Sequence, residues 1–137
     1  MSKKNKRVLY TFVGECRSLT AIRNDWTWKD GRLAAKPLFE ALNAMGVEID
    51  SQVSFMNLWK DPPLHKHKKK WVPVIDESSL GILVSLLDVR VIVALGARVS
   101  TELIKRKIEH VAIVHPAARG RIRLRSRYIA HVRERLS

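Results

Sequence analysis

Apolar positions fall in short blocks along this chain, and the spacing inside each block names an element. Val8 to Val13 is a run of β-branched and aromatic residues ending at Gly14, the pattern of a buried strand that runs into a loop. Residues 15–35 keep no steady period and hold Trp26 and Trp28, which predicts a long loop with aromatic content. From Pro37, apolar residues at Leu38, Leu42 and Met45 fit an amphipathic helix that opens on a proline and stops at Gly46. Val53 to Leu58 predicts a second strand. The stretch WKDPPLHKHKKKW after it is barred from helix or central strand by its prolines and reads as an exposed loop. Asp76 is placed to cap a helix with Leu80, Leu83, Val84 and Leu87 on one face. Val89 to Leu95 is apolar almost throughout, as a strand covered on both sides must be. Gly96 then opens a helix over about Val99 to Lys107, Val111 to Val114 makes a fourth strand, and a helix over about Ser126 to Leu136 closes the chain.

Strands and helices in alternation predict an α/β fold: a three-layer α/β/α sandwich around a four-stranded, mostly parallel central sheet. The length of 137 residues suits a single domain, 1–137. No apolar run approaches the roughly 20 residues of a membrane span. The start MSKKNKRVLYTFVGE lacks the hydrophobic region and cleavage site of an export signal, so a cytoplasmic protein with no membrane partner is expected. The single cysteine, Cys16, excludes an internal disulfide, and excludes an iron–sulfur cluster or Cys-rich zinc site built by this chain alone.

The net charge of +13 changes the picture through its placement. Residues 1–7 carry four cations and no acid, residues 60–71 carry five lysines against Asp61, and residues 115–137 carry seven arginines against Glu134. The rest of the chain is close to neutral. A near-neutral body with three basic segments is the footprint of a protein that grips a polyanion, and DNA is the expected partner. Arg121, Arg123 and Arg125 alternate with Ile122 and Leu124, which on an extended segment puts guanidiniums on one side as a row of phosphate donors. A charged edge strand has the same pattern. Lys66, Lys68, Lys69 and Lys70 offer a second phosphate contact. Between them His65 and His67 have no evident third ligand and neighbours that repel a cation, so no metal is expected. Cys16 has nothing nearby in sequence to ionise it and reads as incidental.

In an open α/β sheet, ligands sit outside the carboxyl ends of the strands. At the carboxyl ends of the four strands here stand Gly14-Glu15, Asn57, Gly96 and His115-Pro116, so a carboxylate, a carboxamide and an imidazole arrive at one rim. Each has a plain structural reading: Glu15 as a turn cap, Asn57 as a turn former, His115 as a half-buried loop residue. Their joint arrival makes them a candidate site.

These stretches carry a resemblance. FVGE, VSFMNLWKDPP, VRVIVALGARVSTELI and HPAARG resemble, in that order, the motifs of the uracil-DNA glycosylase superfamily, nearest to its bacterial and archaeal branch with Gly-Glu in the first motif and His-Pro-Ala in the last. The resemblance runs from Val8 to about Gly120. It implies excision of a deaminated base from DNA, with the nucleotide turned out of the stack into a pocket. It implies further that Glu15 orients or activates the attacking water, that Asn57 and Gly14 belong to the base-binding set, and that His115 stabilises the departing base. Trp28, with Trp26 as the alternative, falls where an aromatic ring stacks on the flipped base. Arg119 lies in the stretch that enters the minor groove, placed to occupy or support the vacated space. That branch also carries four cysteines around an iron–sulfur cluster; WKDPP stands where it has a cysteine, a basic residue and two prolines, so the cluster is missing here and no cofactor is expected. Cys16 and Arg17 replace the small residue and proline that come after Gly-Glu, and the chain is short for the family.

The chemistry suits these residue types. Breaking an N-glycosidic bond builds positive charge on the sugar, which a carboxylate such as Glu15 stabilises, and negative charge on the base, which a neutral imidazole meets as a donor worth about 3 kcal/mol of barrier. The Asn57 amide complements the imide edge of uracil and disfavours cytosine. The expectation is a monomeric, monofunctional DNA glycosylase with Glu15 and His115 catalytic, Asn57, Trp28 and Gly14 binding the base, and Arg119, Arg121, Arg123, Arg125, Lys66, Lys68, Lys69 and Lys70 on DNA. Two rivals stand beside it: a non-catalytic module that binds DNA or a damaged base on the same fold, and an enzyme of free deoxynucleotides. The three cationic segments disfavour the second rival, because a mononucleotide needs a single phosphate site.

Overall fold

The computed structural model describes residues 8–32, 35–62, 72–117 and 125–136. In chain order these form β1 (Tyr10–Gly14), α1 (Leu19–Asn24), a 3₁₀ turn (Trp28–Asp30), α2 (Ala35–Ala44), α3 (Ile49–Gln52), β2 (Val53–Asn57), α4 (Glu77–Ser85), β3 (Val91–Leu95), α5 (Ala97–Lys105), β4 (Val111–Ile113) and α6 (Arg125–Leu136). The strands make one sheet in the order β2-β1-β3-β4, and every pairing is parallel.

Alternation along each strand divides the core in two. Tyr10 and Phe12 of β1 with Val93 and Leu95 of β3 face one way, against Leu38, Ala41 and Leu42 of α2 and Tyr128 and Val132 of α6. Val13, Ile92 and Ala94 face the other way, against Leu83 of α4 and Val99 and Leu103 of α5. The result is the expected three-layer α/β/α arrangement. Its handedness comes from the strand order: the chain moves outward from β1 to β2 with α2 on one face, then reverses across β1 to β3 and on to β4, and right-handed crossovers in the reversed direction put α4 and α5 on the opposite face. The one fully buried polar side chain among the described residues, Thr11, shares a hydrogen bond of 2.8 Å with Ser54 of the neighbouring strand.

Several expectations need correction. Residues 15–35 are not one long loop: Ser18 accepts the Ala21 N–H and starts α1, and a 3₁₀ turn comes next. Neither element buries a residue, so no apolar stripe betrays them in the sequence. Asp76 does cap α4, accepting the Ser79 N–H at 3.2 Å, but Val84 points outward and Leu83 alone of the four expected residues is fully buried. Val89 lies exposed before β3 begins. Arg125 is the first residue of α6 and not part of an extended segment. Arg119, Arg121 and Arg123, with Lys66, Lys68, Lys69 and Lys70, fall outside the described residues, as do residues 1–7 and the pair His65 and His67. Among the described residues no helix is long and apolar enough to cross a membrane.

Candidate functional site

The carboxyl ends of β1, β2 and β4 meet at a cavity of about 400 Å³, whose lining includes Cys16, Arg17, Trp28, Asn57 and His115. The parallel register sets Gly14 beside Asn57, and the ladder continues past both strands, with the Leu58 and Trp59 N–H groups donating to the Gly14 and Glu15 carbonyls at 2.9 Å. This fixes the backbone under the site.

Trp28 enters from the 3₁₀ turn, whose first residue is anchored where the Thr27 N–H donates to Asp30 Oδ2 at 2.7 Å. Its indole stacks on Phe55, with ring centroids 5.9 Å apart and planes 10° from parallel, and meets the His115 ring edge-on at 6.5 Å. The indole Nε1–H donates to Asn57 Oδ1 at 2.9 Å. An indole nitrogen can only donate, so this bond settles which end of the Asn57 amide is oxygen and leaves its two N–H groups uncommitted to Trp28. Gly14 makes the approach possible, because a Cβ there would lie 2.8 Å from both Asn57 Oδ1 and Trp28 Cζ2.

His115 lies just beyond β4. The Ala117 N–H donates to its Nδ1 at 3.0 Å, so a neutral ring carries its proton on Nε2. Burial pushes its pKa below the ordinary imidazole value, with the nearby Glu15 charge pulling weakly the other way. At neutral pH it is therefore an uncharged donor. The residue before it is held from both sides by α6: Tyr128 donates its hydroxyl to the Val114 carbonyl at 2.8 Å, and the Val114 N–H donates to His131 Nε2 at 2.9 Å. Gly96, at φ +99°, comes within 3.3 Å of His115 Cβ when given a Cβ of its own, so backbone shape and close approach both select glycine.

Glu15 stands apart from this group. It does not line the cavity; its Oε1 accepts from Arg98 Nη1 at 2.9 Å, while Arg98 lies over the Trp59 ring at 5.5 Å. Arg17 ties the site's loops together. Its backbone N–H and Nε donate to the two Asp61 carboxylate oxygens at 3.0 and 2.8 Å, and Nη1 donates to Asp25 at 3.2 Å. Cys16 lines the cavity, but burial first, then the charges of Glu15 and Asp61, push its thiol pKa up against an opposing Arg98, which keeps it protonated and weakly nucleophilic. A second cavity of about 310 Å³ shares Arg17, Trp28 and Asn57 with the first and adds Phe55, Trp59 and Lys60.

Of the expected base-binding and catalytic residues, then, Trp28, Asn57 and His115 meet at one cavity over Gly14, and Glu15 is outside its lining, in an ion pair with Arg98. Trp26 also lines the cavity, with the Arg32 guanidinium 4.8 Å above its ring. Sequence reasoning missed Arg17, Arg98, Tyr128 and His131. The two arginines sit inside or beside the motifs and were open to notice by position; Tyr128 and His131, one turn apart on α6, carry no local signal of their task. Among the described residues no group of three or more His, Cys, Asp or Glu is gathered to hold a metal. No model of a known protein family and no curated protein matches the chain.

Proposed function

We propose that the chain is a DNA glycosylase that hydrolyses the bond between deoxyribose and uracil, or a related altered base, in a nucleotide turned out of the strand. The observation that carries this reading is the Asn57 amide, its oxygen tied to Trp28, lining a cavity of about 400 Å³ that a neutral imidazole lines as well. In such a site the Asn57 N–H donates to a base carbonyl, and its oxygen keeps a second lone pair for an imide N–H. Cytosine, which presents an amino group where uracil has a carbonyl, meets a donor facing a donor.

The bond to the base breaks with its electron pair going to the base, and the negative charge collects on a carbonyl oxygen. His115 Nε2–H stabilises that oxygen without having to give up a formal charge. The water oxygen bonds to the sugar carbon, and a water proton ends on the released base. Glu15, whose charge acts on His115, is the carboxylate assigned to orient that water, a role that requires it to turn from Arg98 toward the cavity. The protein acts as a monomer on DNA, with the basic segments holding the backbone.

The Glu15–Arg98 ion pair favours a second reading, in which the cavity captures a flipped base and does not cut, since that contact holds the carboxylate on Arg98 and outside the cavity lining. Labelled oligonucleotides holding uracil opposite guanine or adenine, incubated with protein and cleaved in alkali, separate the two. The glycosylase reading expects breakage at uracil that falls about 100-fold or more in His115→Ala, the rate equivalent of one preorganised donor, and falls also in Asn57→Asp. Binding without breakage at any altered base supports capture alone.

A further inference from the structure

Building on that reading, we propose that Arg32, carried on the face of Trp26, is the site for the backbone phosphate next to the nucleotide whose base enters the cavity. Both residues line the cavity, and the guanidinium carbon stands 4.8 Å from the indole centroid. The platform is itself fixed: the Trp26 N–H donates to the Ala21 carbonyl at 2.8 Å, and its carbonyl accepts from Arg17 Nη1 at 3.4 Å.

The two arginines of this lining are in opposite states. Arg17 is committed to Asp61 and Asp25. Arg32 has no such partner: the chain's 13 acidic side chains all lie within the described residues, and none pairs with it. An arginine seated over an aromatic ring keeps N–H groups free to donate beyond the ring, and a guanidinium can meet two oxygens of a phosphate at once. The cavity has room for a base, so the phosphate of that nucleotide stays outside at the rim, where Arg32 and the hydroxyl-bearing Ser18, Thr20 and Thr27 are found. His115, neutral within, offers no competing charge.

The test is fluorescence anisotropy with a single-stranded oligonucleotide carrying one uracil, titrated over a salt series with the parent protein, Arg32→Ala, Arg32→Lys and Trp26→Leu. Loss of one phosphate contact is expected to lower the slope of log affinity against log salt by about 0.7 and to weaken binding about fivefold near 0.1 M salt in Arg32→Ala. Arg32→Lys keeps the slope and loses part of the affinity, and Trp26→Leu behaves like Arg32→Lys. A methylphosphonate that neutralises the phosphate beside the uracil nucleotide weakens the parent by the same factor and leaves Arg32→Ala unchanged. If Arg32→Ala binds with the parent's affinity and slope, or if the methylphosphonate weakens both proteins alike, the contact is overturned while DNA binding stands. A parent that fails to bind the oligonucleotide overturns the DNA reading, and this contact with it.

Discussion

The indole N–H of Trp28 donates to Asn57 Oδ1 at 2.9 Å across a glycine, Gly14, that has no side chain to keep them apart. This contact gives an otherwise ambiguous amide one orientation. An asparagine that can turn over accepts or donates at will; one with its oxygen tied down reads a single pattern.

Trp28→Phe keeps a ring to stack on Phe55 and removes the N–H. Preference for uracil over cytosine in otherwise identical oligonucleotides is expected to fall about 10- to 100-fold, because the freed amide turns to suit either base. Stability falls by about 1 kcal/mol, the ordinary cost of one hydrogen bond. An unchanged base preference would remove the lock from the account of specificity.

Two glycines separate close approach from mere flexibility. Gly14→Ala puts a methyl 2.8 Å from two neighbours and is expected to cost about 1–3 kcal/mol in urea denaturation and to abolish base release. Gly81, inside α4, has nothing within 4 Å of the position its Cβ would take, so Gly81→Ala is expected to gain up to about 1 kcal/mol and leave activity alone.

Histidines 115 and 131 give stability a pH dependence of known sign. Burial depresses both pKa values; for His115 the Glu15 charge opposes this, and for His131 Arg135 adds to it while Glu134 opposes. Each ring also accepts a backbone N–H, which protonation would break. The unfolded chain takes up protons near the ordinary value of about 6.5 while the folded chain does not, so stability is full above that value and is lost as pH falls from it toward the depressed folded values. Urea midpoints measured across this window are expected to drop with falling pH, with a shallower drop in His131→Gln and in His115→Asn.

Arg17 and Asp61 bridge the loops after β1 and β2 at a partly exposed position. A double-mutant cycle on Arg17→Met and Asp61→Asn is expected to give a coupling of about 1 kcal/mol that shrinks as salt is added. On the proposed glycosylase reading, each single variant is also expected to raise the KM for an oligonucleotide substrate more than it lowers kcat, since Arg17 lines the cavity and Asp61 holds Arg17 in place.

Though α1, the 3₁₀ turn and α3 were not, the four strands alternating with α2, α4, α5 and α6, the parallel sheet and the meeting of Gly14, Asn57 and His115 at one edge were present in the sequence, for a single reason. Strand and helix periods are local, and parallel strands deliver their last residues to the same rim whatever their order. Which of those residues share a cavity was decided by packing. Gly14 and Glu15 are neighbours in the chain, yet one lies under the Trp28–Asn57 contact and the other is turned to Arg98, 83 positions away. Trp28 reaches Asn57 across 29 positions from a three-residue turn with no fully buried residue, too short to leave a period in the apolar pattern. Contacts of about 3 Å between distant residues depend on the exact seating of helices and turns against the sheet, and hydrophobic spacing, which encodes faces and lengths, carries no record of them.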